Sequence, residues 1–366
     1  MSNFIGKPTY NGWHGMHGLS DCATRQNFVG SKSYIFGMSA TRQICAYEVD
    51  DTNFVRLLGV NKNTSFTPGM IGTDSGRQMQ ISPDLRFLAA SGTVFVTPEY
   101  AIFRLSDFDF TAYAPLQTNL SGNGNANAFS ANSAYWATGD SGTKLYVYNV
   151  TDTLSASGWT NVTNKTQAGA SWRSVVFSPN NTWLVGGGGK DTGTNQHIKI
   201  FLQSDWSEVA APTQPAGVVY DIAFSADSSL CAVAHATTPF LTVYDTSSTP
   251  WTKKADVATL PGAKATSVSF LGNSYLCVGH DGSGYKNIYK VSDWSKLSTP
   301  FNAAPAAAGT ARYSPDGTML AVVANPYLYV YDISGETYTQ RTTSPTTAAP
   351  YILNLCWLQA GATNTY

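Results

Sequence analysis

Val219-Tyr220-Asp221-Ile222-Ala223-Phe224-Ser225-Ala226-Asp227-Ser228-Ser229-Leu230-Cys231-Ala232-Val233-Ala234 is two short apolar runs joined by a polar break. Apolar and small residues crowd the first run, which predicts a strand covered on both faces, as an innermost strand beside a central axis must be. Ser225-Ala226-Asp227-Ser228 supplies a tight turn, because these side chains bond their own backbone. The second run, Leu230 to Ala234, predicts a buried strand whose small residues let neighbouring sheets approach. Phe240-Leu241-Thr242-Val243-Tyr244-Asp245 then alternates with period two and predicts a third, half-exposed strand. A weaker outer strand near Trp251 to Lys253 completes a unit of four.

That unit recurs. An aromatic or β-branched residue closes the first run at Phe28, Ile81, Phe129, Phe177, Phe224, Phe270, Tyr313 and Trp357, at spacings of 53, 48, 48, 47, 46, 43 and 44. A period near 45 marks a repeat architecture, in which each unit buries its apolar surface against the next. Third strands recur at Leu145–Asn149, Ile198–Phe201, Asn287–Val291 and Leu328–Asp332. Trp206, Trp251 and Trp294 follow them at short intervals, with Trp159, Phe54 and Phe108 as looser counterparts. These aromatics are expected to pack over one edge of each unit.

Ile81-Ser82-Pro83-Asp84, Phe177-Ser178-Pro179-Asn180 and Tyr313-Ser314-Pro315-Asp316-Gly317 repeat one turn, in which Pro fixes a backbone angle and Asp or Gly completes the reversal. Strings of Phe-Ser-Pro-Asp-Gly, small residues and then Val-Tyr-Asp resemble the repeats of WD40-type and YVTN-type β-propellers, over residues 21 to about 358. The Gly-His and Trp-Asp dipeptides of WD40 repeats are absent at the matching positions. The resemblance implies an all-β fold: one seven-bladed propeller of four-stranded antiparallel blades, closed by the C-terminal strand. Residues 1–20 are expected to form an extended arm. The blades are expected at about 21–70, 71–121, 122–168, 169–215, 216–262, 263–305 and 306–350, within a domain of 21–366.

The segment 351–358 is too close to the chain's last residue to build a blade alone. It is expected to join the first blade and fasten the ring through Leu355 and Trp357, removing open sheet edges. Thr24-Arg25-Gln26-Asn27-Phe28-Val29 also has first-strand character, so two segments compete for one position.

Hydrophobic residues make up 43% of the 366 and charged residues only 12%, about half the usual share of roughly 25%, so Ser, Thr, Asn and Gly must cover the surface. With 22 basic and 23 acidic residues and no basic run longer than Lys253-Lys254, nucleic acid is not an expected partner. No apolar stretch reaches the roughly 18 residues of a membrane span. The first residues do not resemble a secretory signal, so synthesis in the cytosol is expected. Five cysteines without a Cys-x-x-Cys pair argue against a disulfide framework or zinc site, and Cys231 and Cys277 read as small core residues. Cys22, Cys45 and Cys356 could meet if the chain ends do.

Propellers of the resembled type include lactonases and other hydrolases, which need acid–base groups or metal ligands converging at the axis. Asp140, His235 and His280 close second strands in three repeats, and Asp221 and Asp74 lie near first strands. The competing reading is that these residues begin exposed turns or cap loops. Gly186-Gly187-Gly188-Gly189 lacks the Lys-Ser/Thr ending of a phosphate loop and reads as a turn between strands. In a Gly-rich leader, His14 and His17 could hold a metal only weakly, and with Trp13 they better suit an arm that contacts another chain. Neither metal nor cofactor is expected.

Three function classes remain. The first is a non-enzymatic structural or interaction propeller, best fitting a viral or phage particle component. Its polar, weakly charged surface resembles those of proteins exposed outside cells, and its partners would be virion proteins or a cell-surface receptor. A cellular WD40-like scaffold and a lactonase-type hydrolase are the alternatives.

Overall fold

The computed structural model describes residues 33–39, 44–49, 55–61, 79–91, 100–104, 124–152, 158–210, 212–305, 309–324, 327–341 and 352–359. Among them are no helices, and the strands form seven antiparallel sheets. In bonding order, sheet one is Ile352–Gln359, Ser33–Ser39, Ile44–Val49 and Val55–Asn61. Sheet two is Met79–Ile81, Phe87–Ser91 and Tyr100–Arg104. Sheet three is Gly124–Phe129, Tyr135–Asp140, Lys144–Asn149 and Asn161–Thr166. Sheet four is Trp172–Phe177, Trp183–Gly188 and Ile198–Leu202, and sheet five is Val219–Phe224, Leu230–His235, Leu241–Asp245 and Thr252–Lys253. Sheet six is Ala265–Leu271, Tyr275–His280 and Lys286–Lys290, and sheet seven is Ala311–Tyr313, Met319–Ala324, Tyr327–Ser334 and Thr337–Gln340.

Three sheets depart from the expected four strands. In sheets four and six the outer segment forms only the single bridges Phe201–Glu208 and Tyr289–Lys296. Pro212 and Pro300 follow soon after and have no N–H to extend a ladder. The outer segment of sheet two lies outside the described residues.

The Ser-x-Asp/Asn turn is one piece of chemistry used five times. Ser82, Ser130, Ser178, Ser225 and Ser314 each donate Oγ–H to the carboxylate or amide oxygen two residues on, at 2.6–2.7 Å. Each Oγ also accepts the N–H five residues on, at 2.9–3.0 Å, which starts the second strand. The fourth residue past the anchor takes a left-handed backbone, at Leu85, Ser133, Asn181, Ser228 and Gly317. The side chain there, or its neighbour in sheet six, caps the preceding sheet. Asp84 N–H donates to Ser133 Oγ, Asn132 N–H to Asn181 Oδ1, Asn180 N–H to Ser228 Oγ and Asp227 N–H to Asn273 Oδ1, all at 3.0 Å.

First strands are tied to one another in the same serial way. Gln80 Oε1 accepts from Phe129 N–H, Ser174 Oγ from Ile222 N–H, Asp221 Oδ2 from Val268 N–H and Ser269 Oγ from Tyr313 N–H, at 2.9–3.2 Å. The aromatic residues beyond the third strands close the gaps between sheets. Trp159 meets Phe129 of its own sheet and Phe87 of the sheet before; Trp206 likewise meets Phe177 and Tyr135, and Trp251 meets Phe224 and Trp183. Their ring centroids lie 5.0–6.4 Å apart in edge-to-face contact.

Two expectations about local structure change. Leu241 to Tyr244 are buried rather than half exposed, because neighbouring sheets cover both faces of this third strand. Gly186 to Gly188 lie within a strand and make no turn. They permit close packing: a Cβ at Gly187 would sit 2.8 Å from Val219 Cγ1 and 2.9 Å from Ile222 Cδ1 of sheet five. Cys231 and Cys277 are buried in the apolar layers, as their repeat position suggests.

Candidate functional site

Strand register fixes where the candidate side chains sit. His235 pairs with Val219, His280 with Ala265 and Asp140 with Gly124, so all three lie at the end of their sheets where the first strand begins. Each stands at the start of a solvent-facing turn but is itself enclosed: Asp140 and His235 are fully buried and His280 is 1% exposed. Each is engaged by a neighbouring strand. Asp140 Oδ1 accepts the Lys144 N–H at 2.8 Å, His235 Nε2 bonds Thr242 Oγ1 at 3.0 Å, and His280 Nε2 donates to Asn287 Oδ1 at 3.3 Å. Asn287 in turn donates to Tyr289 Oη, which donates to the Thr259 carbonyl, each at 2.8 Å. Burial pushes His235 down to about 4 and lowers His280 as well, so both imidazoles are neutral near pH 7. A neutral, enclosed imidazole tied to the next strand is suited to holding two strands in register.

Asp221 sits one bond network away from this end, on the first strand of sheet five, and is fully buried. Its carboxylate accepts N–H groups from Ile222 and Val268 at 3.0 and 2.9 Å and the Ser174 hydroxyl at 3.4 Å. Arg312 Nη1 of sheet seven reaches it at 2.8 Å and also donates to the Val268 and Ala311 carbonyls. One side chain therefore joins sheets four, five, six and seven. Arg312 escaped the sequence reading because a single Arg in an otherwise apolar run carries no spacing signal.

Leu355 and Trp357 lie on the terminal strand, which occupies the place beside Ser33–Ser39 for which residues 24–29 competed. Residues 24–29 themselves are outside the described residues. Trp357 Nε1–H donates to the Arg312 carbonyl at 2.9 Å, and both side chains pack with Ile35, Tyr47, Met319 and Val330. Trp13, His14, His17, Asp74 and Cys22 also fall outside the described residues.

At the opposite end of the first strands, beside the Ser-x-Asp turns, lies a cavity of about 110 Å³. Met79, Ala223, Phe270, Arg312 and Cys356, from five different sheets, share its wall. It is mostly apolar and stands a strand length away from His235 and His280.

Three further buried charged residues, Asp191, Lys199 and Lys286, were not singled out from the sequence. Asp191 pairs with Lys199 Nζ at 3.0 Å between sheets three and four, and Lys199 also donates to the Thr166 carbonyl. Burial alone would raise the Asp191 carboxyl, but donation from Thr194, Lys199, Gly193 and Ala168 outweighs it and holds the group at about 2. Lys286 is 4% exposed where the third strands of other sheets carry Leu145, Ile198, Leu241 and Leu328. Comparing third strands position by position would have found it.

Among the described residues no group of three or more His, Cys, Asp or Glu side chains is placed to hold a metal ion. Nor do they form a helix long and apolar enough to cross a membrane. No protein-family model matches the chain, and no curated protein matches it either.

Proposed function

We propose that the seven sheets are the blades of one closed propeller, and that the protein is a non-enzymatic structural or interaction component of a particle assembly, best fitting a virus or phage. Support for the ring comes from the cavity wall, to which five sheets contribute although several of them are not neighbours. The first strands also touch in serial order, from sheet one through sheet seven and back to the terminal strand.

The observation that carries the non-enzymatic reading is the use made of the polar residues near the axis. Asp221 holds four sheets together, and His235 and His280 each lock a third strand. Such groups give rigidity to a disc. Surface chemistry favours a particle: with 12% charged residues, the exterior depends on hydroxyl and amide groups. A cellular scaffold and a lactonase-type hydrolase remain the competing classes, the second requiring a substrate to reach buried imidazoles.

Mass spectrometry of purified particles from cells expressing the protein tests the reading. Recovery at constant stoichiometry after stringent washing supports it. A free monomer in cytosol without particles, or turnover on an esterase and lactonase panel abolished by His235→Asn, overturns it.

A further inference from the structure

Four first strands carry a bulge at the same place. Register shifts fall between Gly124 and Ala126, Trp172 and Ser174, Val219 and Asp221, and Ala265 and Ser267. The extra residues are Asn125, Arg173, Tyr220 and Thr266, all at the end of the first strands away from the cavity. A bulge bends its strand and re-aims one side chain, and bulges recur beside functional sites. Here the re-aimed side chains of consecutive sheets meet: Arg173 Cζ of sheet four lies 5.0 Å from the ring centroid of Tyr220 in sheet five. Lys264 Nζ, just before the first strand of sheet six, also lies 5.0 Å from that centroid.

Two cations beside one ring repel each other unless anions balance them. Lys264 has its anion, Asp281, at 3.1 Å. Arg173 has none: among the described residues neither its guanidinium nor the Tyr220 hydroxyl makes a hydrogen bond or ion pair, although Tyr220 is only 8% exposed. Asp221, the next residue, is already matched by Arg312. Among the described residues the place therefore carries one uncompensated positive charge, a guanidinium fork 5.0 Å from an aromatic ring centre, and a phenol donor.

We infer that Arg173, Tyr220 and Lys264 form a recognition site for a carboxylate-bearing ligand at the strand-start mouth of the ring. A guanidinium fork takes a carboxylate in two parallel bonds, and one net charge suits a monoanion better than a phosphate dianion. The Tyr220 hydroxyl adds a donor for a further lone pair of the carboxylate. The site rests on contacts among sheets four, five and six and is independent of the particle assignment.

Saturation-transfer NMR on the full chain tests it, with N-acetylneuraminate and N-acetylglutamate as the acids and N-acetylglutamine as the neutral control. Saturable binding of either acid, with none of the amide, is expected, at a Kd on the order of millimolar for one such contact. Preference for the sugar acid would identify a glycan source and preference for glutamate a protein source. Arg173→Gln should weaken binding about tenfold or more, and Arg173→Lys, which keeps charge but loses the fork, should restore only part. Both variants should unfold close to the wild-type temperature, since among the described residues Arg173 makes only the exchangeable contact with the Tyr220 ring. Absence of saturable binding by either acid, equal binding of the amide, or unchanged affinity in Arg173→Gln would overturn the proposal.

Discussion

Replacing Lys286 by Met should stabilise the protein, by an amount that shrinks as pH rises. Lys286 starts the third strand of sheet six, paired with Gly279, at the place where Leu145, Ile198, Leu241 and Leu328 fill the layer between sheets. Its ammonium donates to the Tyr285 carbonyl at 3.3 Å, and no carboxylate lies within 4.0 Å among the described residues. Burial therefore lowers its pKa from 10.5 to about 8, with Cys277 and Asp281 offsetting only part. Below pH 8 the unfolded chain binds this proton more tightly than the folded one, so the folded state carries a penalty there. At about 1.4 kcal/mol per pH unit, the fall from 10.5 to about 8 makes that penalty about 3 kcal/mol at pH 7. It declines once pH passes the folded pKa, to about 2 kcal/mol at pH 9, and vanishes above the unfolded value. Met has similar length and no charge to desolvate. Urea unfolding of both chains at pH 7, 8 and 9 reads the difference. Cys277, pushed up to about 12 by burial, destabilises the fold as pH rises past 9, but does so in both chains and cancels. A variant less stable than wild type, or a gap that does not narrow between pH 7 and 9, would refute the reasoning.

Asp221→Ala removes the carboxylate that meets buried Arg312 and should cost about 3–5 kcal/mol, of which Asp221→Ala with Arg312→Met should recover a part; an unchanged urea midpoint in the single variant would contradict this. Leu85 has φ of 61° where the equivalent turns use Ser, Asn or Gly, so Leu85→Asn should gain up to about 1 kcal/mol, read as a higher midpoint in thermal unfolding. Acid should destabilise the fold before the carboxylates titrate. His235 falls to about 4 in the folded chain, so stability is lost as pH drops from 6.5 through 4, by about 3 kcal/mol in full, and His235→Asn should flatten that part of the profile.

What the sequence made legible was whatever the repeat enforces. Anchors such as Phe177 and Phe224, the Ser-x-Asp turns and the Trp residues beyond the third strands recur because every sheet needs the same closing chemistry. Features belonging to one sheet left no such trace. Arg312 and the Arg173–Tyr220 contact each occur once, with partners some 40 or more residues away, and Lys286 shows only as a departure from the Leu or Ile of the other third strands. Gly186 to Gly188 misled for a related reason: glycine usually signals a turn, but here a neighbouring sheet leaves no room for a side chain. His235 and His280 were located correctly along their strands, yet their burial depends on adjacent sheets, which no single repeat specifies.

Closure by the strand 352–359 is the point on which the proposed ring depends, and amide hydrogen exchange of residues 352–359 tests it most directly. In a closed ring these amides open only with the whole fold, so they should exchange as slowly as those of Val219–Phe224 at the heart of sheet five. Exchange at the rate of a frayed end, while Val219–Phe224 stays protected, would mean that the ring is open.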